Sequence, residues 1–283
     1  MEHRNTRKLS GYGGERKMFV EKIGNAVYDI SHMVLEEPRD HMYYKHMHPF
    51  CELLLFVEGD MDFCIGGEYY HLQPYDLLLI PQGTYHYGKL RTAARYENYV
   101  IDFYSTILPP EKMKVLFSAP TVFNIGGDTQ QLRFFKLLDS YHEMYDTSDF
   151  MICAECLVRE ILMYCCYTSR TSSPVLRERN SLVQTILDYI DGHLEEKLDV
   201  DILAEHMNLS RSHIQNIFSR SMQIGLKQYI IQKKILAAQN DLSNGMSATA
   251  IAAKYHFNDY STFYRQYKKT FGQTPSSVRN GRT

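Results

Sequence analysis

One short pattern occurs twice near the C-terminus of this 283-residue chain, and it constrains the fold more than any other feature. Residues 204–209 read Ala-x-x-x-Asn-Leu, and residues 252–257 repeat the pattern 48 positions later as Ala-x-x-x-His-Phe. A small residue, a turn four positions on and an apolar residue after the turn describe a helix-turn-helix unit. Two such units joined by a helical segment predict a protein that reads two successive major grooves of DNA.

The helix that follows each turn has an apolar inner face and a polar outer face. Helical spacing turns Ile214 and Phe218 inward in the first helix, and Phe263 and Tyr267 inward in the second. Outward Gln and Asn side chains pair with adenine and Arg pairs with guanine, whereas Lys binds phosphates. The predicted DNA-contacting residues are Arg211, Ser212, Gln215, Asn216, Arg220, Tyr260, Ser261, Tyr264, Arg265, Lys268 and Lys269.

Turn chemistry and charge support this interpretation. Asn208 tolerates the left-handed backbone that the first turn needs, and Ser210 is a good N-cap for the helix after it. Residues 226–242 predict a connecting helix of about 25 Å. Residues 207–283 carry eleven Lys and Arg but only two Asp, which suits a polyanion. Two alternatives stay open: a plain helical bundle, and a non-specific nucleic-acid binder that contacts only phosphates.

The N-terminal half has a different pattern. Short apolar segments separated by turn residues predict an antiparallel barrel or sandwich, and these segments are 52–57, 61–65, 68–72, 77–80 and 96–103. Residues 128–145 and 151–167 then change to helical spacing. Two such helices beside a barrel offer an apolar stripe to a partner, so we expect them to form a homodimer.

These patterns predict an α+β multidomain chain, with an antiparallel barrel followed by helices and then an all-helical domain with two helix-turn-helix units. The predicted segments are a mobile arm at 1–18, a barrel at 19–125, a dimerisation helix pair at 126–167, a polar linker at 168–180 and a DNA-binding domain at 181–283. Effector binding by the barrel is implied only by its resemblance to a known family, given below.

Composition excludes several other classes of protein. The longest purely aliphatic or aromatic run, 53–57, is far too short to span a bilayer. The first residues lack the apolar core of a secretory signal, so a cytoplasmic protein without a membrane partner is expected. Six cysteines in a chain of this length do not make a disulfide scaffold.

Residues 181–279 resemble the DNA-binding domain of AraC-type transcription regulators over nearly their whole length. The resemblance implies double-stranded operator DNA as a partner, with RNA polymerase as a possible further one. The motif residues that carry it are Ile251-Ala252, Phe257-Asn258-Asp259, Ser261, Phe263, Arg265, Lys268-Lys269, Phe271-Gly272, Thr274-Pro275 and Arg279.

This chain departs from that family at three positions of the C-terminal domain. Family members usually have glycine where this chain has Gln223 and His256, and arginine where it has Lys234. A left-handed backbone at His256 would cost about 1 kcal/mol. Because this turn precedes the second recognition helix, the orientation of that helix could differ from the family's.

Residues 46–59 and 81–86 resemble the two halves of the cupin motif, as in the effector domain of the same family. The resemblance implies that His46, His48, Glu52 and His86 converge inside the barrel. Imidazole and carboxylate groups suit a divalent metal, and they also hydrogen-bond to organic compounds. We expect these four residues to bind an organic effector directly, with no metal or other cofactor.

Two further departures, Tyr75 in place of a glycine and Leu90 in place of an asparagine, weigh against a cupin enzyme. The abundance of tyrosines in this half suits a sugar or an aromatic acid as the effector. The sequence therefore predicts a bacterial-type transcription regulator, not an enzyme, whose DNA affinity or geometry responds to a small molecule. The alternative is a metal-dependent cupin enzyme with an appended helical nucleic-acid-binding domain.

Overall fold

The computed structural model describes residues 14–21, 26–39, 45–118, 121–127, 129–168 and 181–280. The chain divides into two compact units, Met1–Glu178 and Arg179–Thr283, and each has a hydrophobic core of its own. The six cysteines are free thiols. Among the described helices, none combines the length and the hydropathy that crossing a bilayer requires.

The first unit is an antiparallel two-sheet barrel followed by helices, which confirms the predicted fold class. A sheet of six strands has the order β1-β2-β8-β3-β6-β9, and a sheet of three has the order β5-β4-β7. Their bounds are β1 (Gly14–Glu21), β2 (Val27–Leu35), β3 (Cys51–Glu58), β4 (Met61–Ile65), β5 (Glu68–His71), β6 (Asp76–Ile80), β7 (His86–Leu90), β8 (Tyr96–Phe103), α1 (Pro110–Ser118), β9 (Val122–Asn124), α2 (Thr129–Met144) and α3 (Thr147–Thr168).

Strand β3 lies in the interior of the six-stranded sheet, between β8 and β6, and both of its faces are buried. Side chains alternate between the two faces of a strand. Leu54 and Phe56 pack inward, against apolar residues of the smaller sheet. Leu53 and Leu55 pack outward, in a cluster with residues of α1, α2 and α3. The strand therefore separates the barrel interior from a second core under the helices.

The start of the barrel differs from the prediction. Residues 14–18 were expected in the mobile arm, but they form the first part of β1, which pairs antiparallel with β2. Their glycine and charges suggested an arm, yet an edge strand of a sheet tolerates charged residues and this strand lies at the sheet's edge. The rest of the arm, 1–13, and the linker residues 169–180 lie outside the described residues.

The second unit is helical throughout its described residues. The first helix-turn-helix unit is formed by α5 and α6, the second by α8 and α9, and α7 joins them. The bounds are α4 (Ser181–Gly192), α5 (Val200–His206), α6 (Arg211–Met222), α7 (Leu226–Ser243), α8 (Ala248–Lys254), α9 (Tyr260–Phe271) and α10 (Pro275–Asn280). Apolar residues of α7, α8 and α9 share one core cluster, which fixes the second unit on the connecting helix.

Candidate functional site

The two helix-turn-helix units have the same turn. In the first, the Leu209 amide donates to the Ala204 carbonyl at 2.9 Å, and in the second the Phe257 amide donates to the Ala252 carbonyl at 3.0 Å. Such a bond closes the end of a helix whose following residue is left-handed. The sequence repeat therefore corresponds to a repeat of backbone geometry.

The positions where the family has glycine have a left-handed backbone in this chain. Gln223 has a φ of 55° and His256 a φ of 53°, and Tyr75 in the barrel has a φ of 70°. Asn208, the predicted turn residue, also has a φ of 53°. Non-glycine side chains are uncommon in this region of backbone space, so three glycine replacements leave local strain while the turns persist.

The second recognition helix begins one residue later than the repeat suggests. The Ser210 hydroxyl caps α6 by accepting from the His213 amide at 3.3 Å. The matching cap of α9 is Asp259, whose carboxylate accepts from the Thr262 amide at 2.6 Å. The two turns are 48 residues apart and the two caps are 49 apart. One extra residue therefore separates turn and helix in the second unit.

Most of the predicted DNA-contacting residues are exposed on α6 and α9. Tyr264 is half-buried, and exposed His213 is a candidate that the sequence analysis missed. Arg211 Nη1 lies 2.7 Å from both carboxylate oxygens of Asp201, and Arg265 donates to the Thr262 hydroxyl at 3.2 Å. The exposed residues among those predicted are Arg211, Ser212, Gln215, Asn216, Arg220, Tyr260, Ser261, Arg265, Lys268 and Lys269.

Lys234 on α7 bonds to two separate segments of the DNA-binding unit. Its ammonium group is buried and donates to the carbonyls of Glu196 and Tyr255, each at 2.9 Å. Burial lowers the pKa of Lys234 below its ordinary value. One cation thus ties the segment before the first helix-turn-helix unit to the end of α8, in the second unit.

In the barrel, the structure brings together His46, His48, Glu52 and His86. Their ligand atoms all lie within 4.8 Å of one another. His46 and His86 form an isolated antiparallel bridge, with backbone hydrogen bonds of 3.2 and 3.0 Å. Glu52 and His86 are buried, whereas His46 and His48 are half-buried. The predicted convergence of the four side chains is therefore present, at the end of the barrel where β3 and β7 begin.

Two of these histidines face oxygen atoms with both ring nitrogens. His48 Nδ1 lies 2.9 Å from the Phe50 carbonyl, and its Nε2 lies 3.1 Å from a Glu52 oxygen. His86 Nδ1 lies 2.8 Å from the Thr84 carbonyl, and its Nε2 lies 3.2 Å from the same Glu52 oxygen. A carbonyl accepts only, so each Nδ1 carries a proton. In the neutral ring Nε2 is then an acceptor, and so is an ionised Glu52. The two acceptors can lie side by side only if Nε2 also carries a proton, or if a bound cation or hydrogen-bond donor lies between them.

The electrostatics agree with that requirement. Burial alone would raise the pKa of Glu52, but His86 and His48 together hold it below its ordinary value. Burial alone would lower the pKa of His86, but Glu52 raises it above its ordinary value. The site therefore keeps its carboxylate ionised and favours a positive charge beside it.

A cavity of about 280 Å³ adjoins this cluster inside the barrel. Sequence reasoning missed its polar residues on β2 and β8, namely Asp29, Ser31, Asn98 and Asp102. Asn98 Oδ1 and Asp102 Oδ1 are buried and have no hydrogen-bond partner among the described residues. Burial, Glu52 and Asp29 raise the pKa of Asp102 well above its ordinary value. The cavity thus presents several oxygen atoms to whatever it holds.

The four-residue cluster also has the donor types of a divalent metal site. Carbonyl groups fix both Nδ1 atoms, as they do for metal-binding histidines. Opposite ligands at about 2.1 Å from a metal are about 4.2 Å apart, which is somewhat less than the largest separation of 4.8 Å here. His46, His48, Glu52 and His86 could therefore hold an ion after a small contraction, and the ion would supply a Lewis acid.

Two protein-family models match this chain, one over most of the first unit and one over most of the second. The family model of an AraC-like ligand binding domain matches residues 33–187, and that of a helix-turn-helix domain matches residues 203–281. The HTH-type transcriptional activator AarP of Providencia stuartii is 29% identical over 102 residues, covering 36% of this chain and 76% of AarP. The putative HTH-type transcriptional regulator YkgA of Escherichia coli is 29% identical over 103 residues, covering 36% of this chain and 43% of YkgA.

Among solved structures, ToxT from Vibrio cholerae is 10% identical, with a TM-score of 0.39, covering 89% of this chain and 96% of ToxT. The aligned segment spans less than half of YkgA, so the similarity to that relative concerns part of its length only. The ligand-binding family model alone matches more than half of this chain. The chain belongs to the AraC family of transcriptional regulators and carries a ligand-binding domain and a helix-turn-helix DNA-binding domain.

Proposed function

We propose that this regulator inserts α6 and α9 into successive major grooves on one side of double-stranded DNA. The observation that carries the proposal is the shared turn geometry of the two units, each followed by a helix with exposed polar and basic side chains. Arg211, Gln215 and Asn216 would read bases through α6, and Arg265 through α9. Lys268 and Lys269 would bind phosphates.

We further propose that the barrel binds a small polyhydroxylated effector such as a monosaccharide. The cavity volume of about 280 Å³ is at the lower end of the range for ligand pockets. Hydroxyl groups would donate to Glu52 and to the buried oxygens of Asn98 and Asp102, which have no hydrogen-bond partner among the described residues. His46, His48 and His86 would complete the site, without a metal and without catalysis.

The third part of the proposal is a homodimer formed through α3. An exposed apolar stripe runs along this helix, with Ile152 65%, Met163 41% and Tyr167 72% exposed. Cys156, also exposed, lies on the same stripe. Residues spaced by three, four or seven positions share one helix face. A second copy of the chain would cover this stripe and bring two DNA-binding domains together, in the cytoplasm and within reach of RNA polymerase.

Effector and DNA can be coupled only if the effector binds one arrangement of the dimer better than another. Selection of full-length protein on random duplexes would identify the preferred sites. Footprinting of a selected site should then show two protected tracts about 10 base pairs apart on one face. Protection of a single tract would contradict insertion of both helices.

The effector site is tested by thermal shift with a panel of aldopentoses and aldohexoses. We expect a stabilising sugar whose effect is lost in Glu52→Gln and kept in Glu58→Gln, because Glu58 lies at the far end of β3 and is exposed. The same sugar should change the affinity for the selected duplex. An equal affinity with and without the sugar would reject the coupling.

The competing function is a metal-dependent cupin enzyme. Metal analysis of the purified protein distinguishes it from the proposed metal-free regulator. The residues that favour the enzyme are the four possible ligands. A stoichiometric metal that is lost in His48→Ala, together with turnover of a substrate, would support the enzyme. Metal-free protein that still responds to the sugar would support the regulator without a cofactor.

A further inference from the structure

A second and larger cavity lies on the other side of strand β3, outside the barrel interior. Its volume is about 890 Å³, within the range of pockets that bury organic ligands. It is lined by the start of β3, the two residues after β6 and the segment that leads from β8 into α1, and it reaches α1 and α3. None of the described residues around the His-Glu cluster, His46, Glu52 or His86, lines it.

The walls of this second cavity are mostly apolar. Proline, aliphatic and aromatic side chains supply them, among them Pro81, Ile107, Leu108, Met113 and Phe117. Covering such a surface with hydrocarbon lowers the free energy by roughly 25 cal/mol for each Å² of apolar surface removed from water. The cavity therefore suits a ligand with an aliphatic or aromatic body.

Both charged residues that line this cavity are cations, and no carboxylate is found among its described lining residues. Lys114 on α1 is exposed and makes no hydrogen bond or ion pair with the described residues. Arg159 on α3 donates to the Ile107 carbonyl and, at 2.8 Å, to Glu155. A guanidinium has five N–H donors, so these two bonds leave others for a ligand. The free cation is thus Lys114, with Arg159 beside the same space.

An apolar chamber with cations but no carboxylate at its wall is complementary to an amphipathic anion. We propose that this cavity is a second ligand site, which binds a medium-chain monocarboxylate with its hydrocarbon part on the apolar walls and its carboxylate at Lys114. Arg159 belongs to the helix whose exposed stripe carries Ile152 and Met163, so the ligand would contact the segment that we propose for dimerisation. This second site is independent of the sugar site in the barrel.

Calorimetric titration of the full chain with octanoate, and with 1-octanol as the uncharged analogue, tests the proposal. We expect one octanoate per chain and an affinity for 1-octanol that is about tenfold lower, because a charge-assisted contact is lost. Lys114→Met should weaken octanoate by a similar factor and leave 1-octanol unchanged. The matched control is Lys112→Met, an exposed lysine of the same helix outside the cavity, which should bind octanoate as the wild type does.

The chain contains no tryptophan, so Phe117→Trp places a single tryptophan, which can be excited selectively, on the cavity wall. Octanoate should shift the emission of this variant with the same midpoint as the calorimetric titration. Equal weakening by Lys112→Met, equal binding of 1-octanol, or the absence of octanoate binding at millimolar concentration would each overturn the proposal.

Glu52→Gln separates the two sites. It should leave octanoate binding unchanged, because Glu52 faces the barrel interior. Loss of octanoate binding in Glu52→Gln would place the fatty anion in the barrel, which overturns the second site without touching the DNA-binding function. A sugar response that fails while octanoate still binds would instead contradict the proposed effector.

Discussion

Asn208 and His256 have the same left-handed backbone, with a φ of 53°, at the turns of the two helix-turn-helix units. Asparagine adopts a left-handed backbone more readily than most residues. The His256 side chain is exposed, so it is not buried against other residues in a way that would offset the strain. The second turn therefore keeps its geometry at a cost of about 1 kcal/mol that the first turn largely avoids.

We expect His256→Gly to stabilise the second unit by about 0.5–1 kcal/mol, because glycine adopts a positive φ without strain. Urea unfolding followed by far-ultraviolet circular dichroism measures the change. The control is His213→Gly, an exposed position inside α6, where glycine should destabilise by about 1 kcal/mol. Destabilisation of the same size in both variants would show that the turn at His256 is not strained.

Arg265→Ala should lower affinity for the selected duplex by about 1–3 kcal/mol and relax the preference at one base position, because arginine pairs specifically with guanine. Lys269→Ala should weaken binding to all duplexes alike and reduce its salt dependence. Fluorescence anisotropy on a set of single-base variants measures both effects. A uniform loss in Arg265→Ala would make this residue a phosphate contact.

Lys234→Met should destabilise the DNA-binding unit by about 2–3 kcal/mol, because it leaves the carbonyls of Glu196 and Tyr255 without their donor. Lys234→Arg restores a donor and should recover most of the loss. Lys227→Met is the matched control, because Lys227 is an exposed lysine of the same helix and surface substitutions usually change stability by less than about 0.5 kcal/mol. Equal effects in the 227 and 234 variants, measured by urea unfolding, would contradict the bridging role.

We expect Glu97 on β8 to make the stability of the barrel sensitive to acid. It lies 2.8 Å from Arg95 and 3.1 Å from His32. Burial alone would raise the pKa of Glu97, but Arg95 and His32 hold it below its ordinary value of 4.5. A lowered carboxyl pKa contributes stability that is present above pH 4.5 and is lost as the pH falls through the folded value.

Glu97→Gln should therefore lower the thermal midpoint of the barrel at pH 7. The difference from wild type should shrink as the pH falls below 4.5. Glu143→Gln, at an exposed position of α2, should follow the wild-type curve across the same range. A difference between Glu97→Gln and wild type that stayed constant with pH would mean that the ionised carboxylate does not contribute.

Ile152→Glu should convert the dimer to monomer without unfolding it, because the Ile152 side chain is 65% exposed within one chain. Sedimentation equilibrium gives the dissociation constant, and Met246→Glu in the DNA-binding unit serves as the control. A wild-type chain that is monomeric at micromolar concentration, or a dimer unaffected by Ile152→Glu, would contradict the proposed use of α3.

The helical half could be predicted closely, since its signals are local. Small residues, caps and apolar spacing lie within a few positions of one another, and the expected cap at Ser210 forms as predicted. The sequence leaves Asn258 and Asp259 both open as the cap of the second helix, because both residue types are good caps, and the structure has Asp259. Only the backbone decides between two neighbouring caps.

The barrel was predicted less completely, because its strands do not all have a simple apolar alternation. Strand β2 was missed: Asp29 and Ser31 face the interior cavity, so the usual pattern of apolar inside and polar outside is broken. Strand β7 was also missed, because it is short and contains Gly88. The four motif residues were found through a resemblance, but Asn98 and Asp102 join them only through the pairing of β8 with β2 and β3.

The two recognition helices are copies in geometry but not in chemistry. The first offers Arg211, Gln215 and Asn216, while the second offers Tyr260, Tyr264 and Arg265 on a helix that one extra residue separates from the same turn. If both helices enter major grooves as we propose, the half-site bound by one protomer has two different ends. Reversing that half-site would then turn the bound protomer end for end along the duplex.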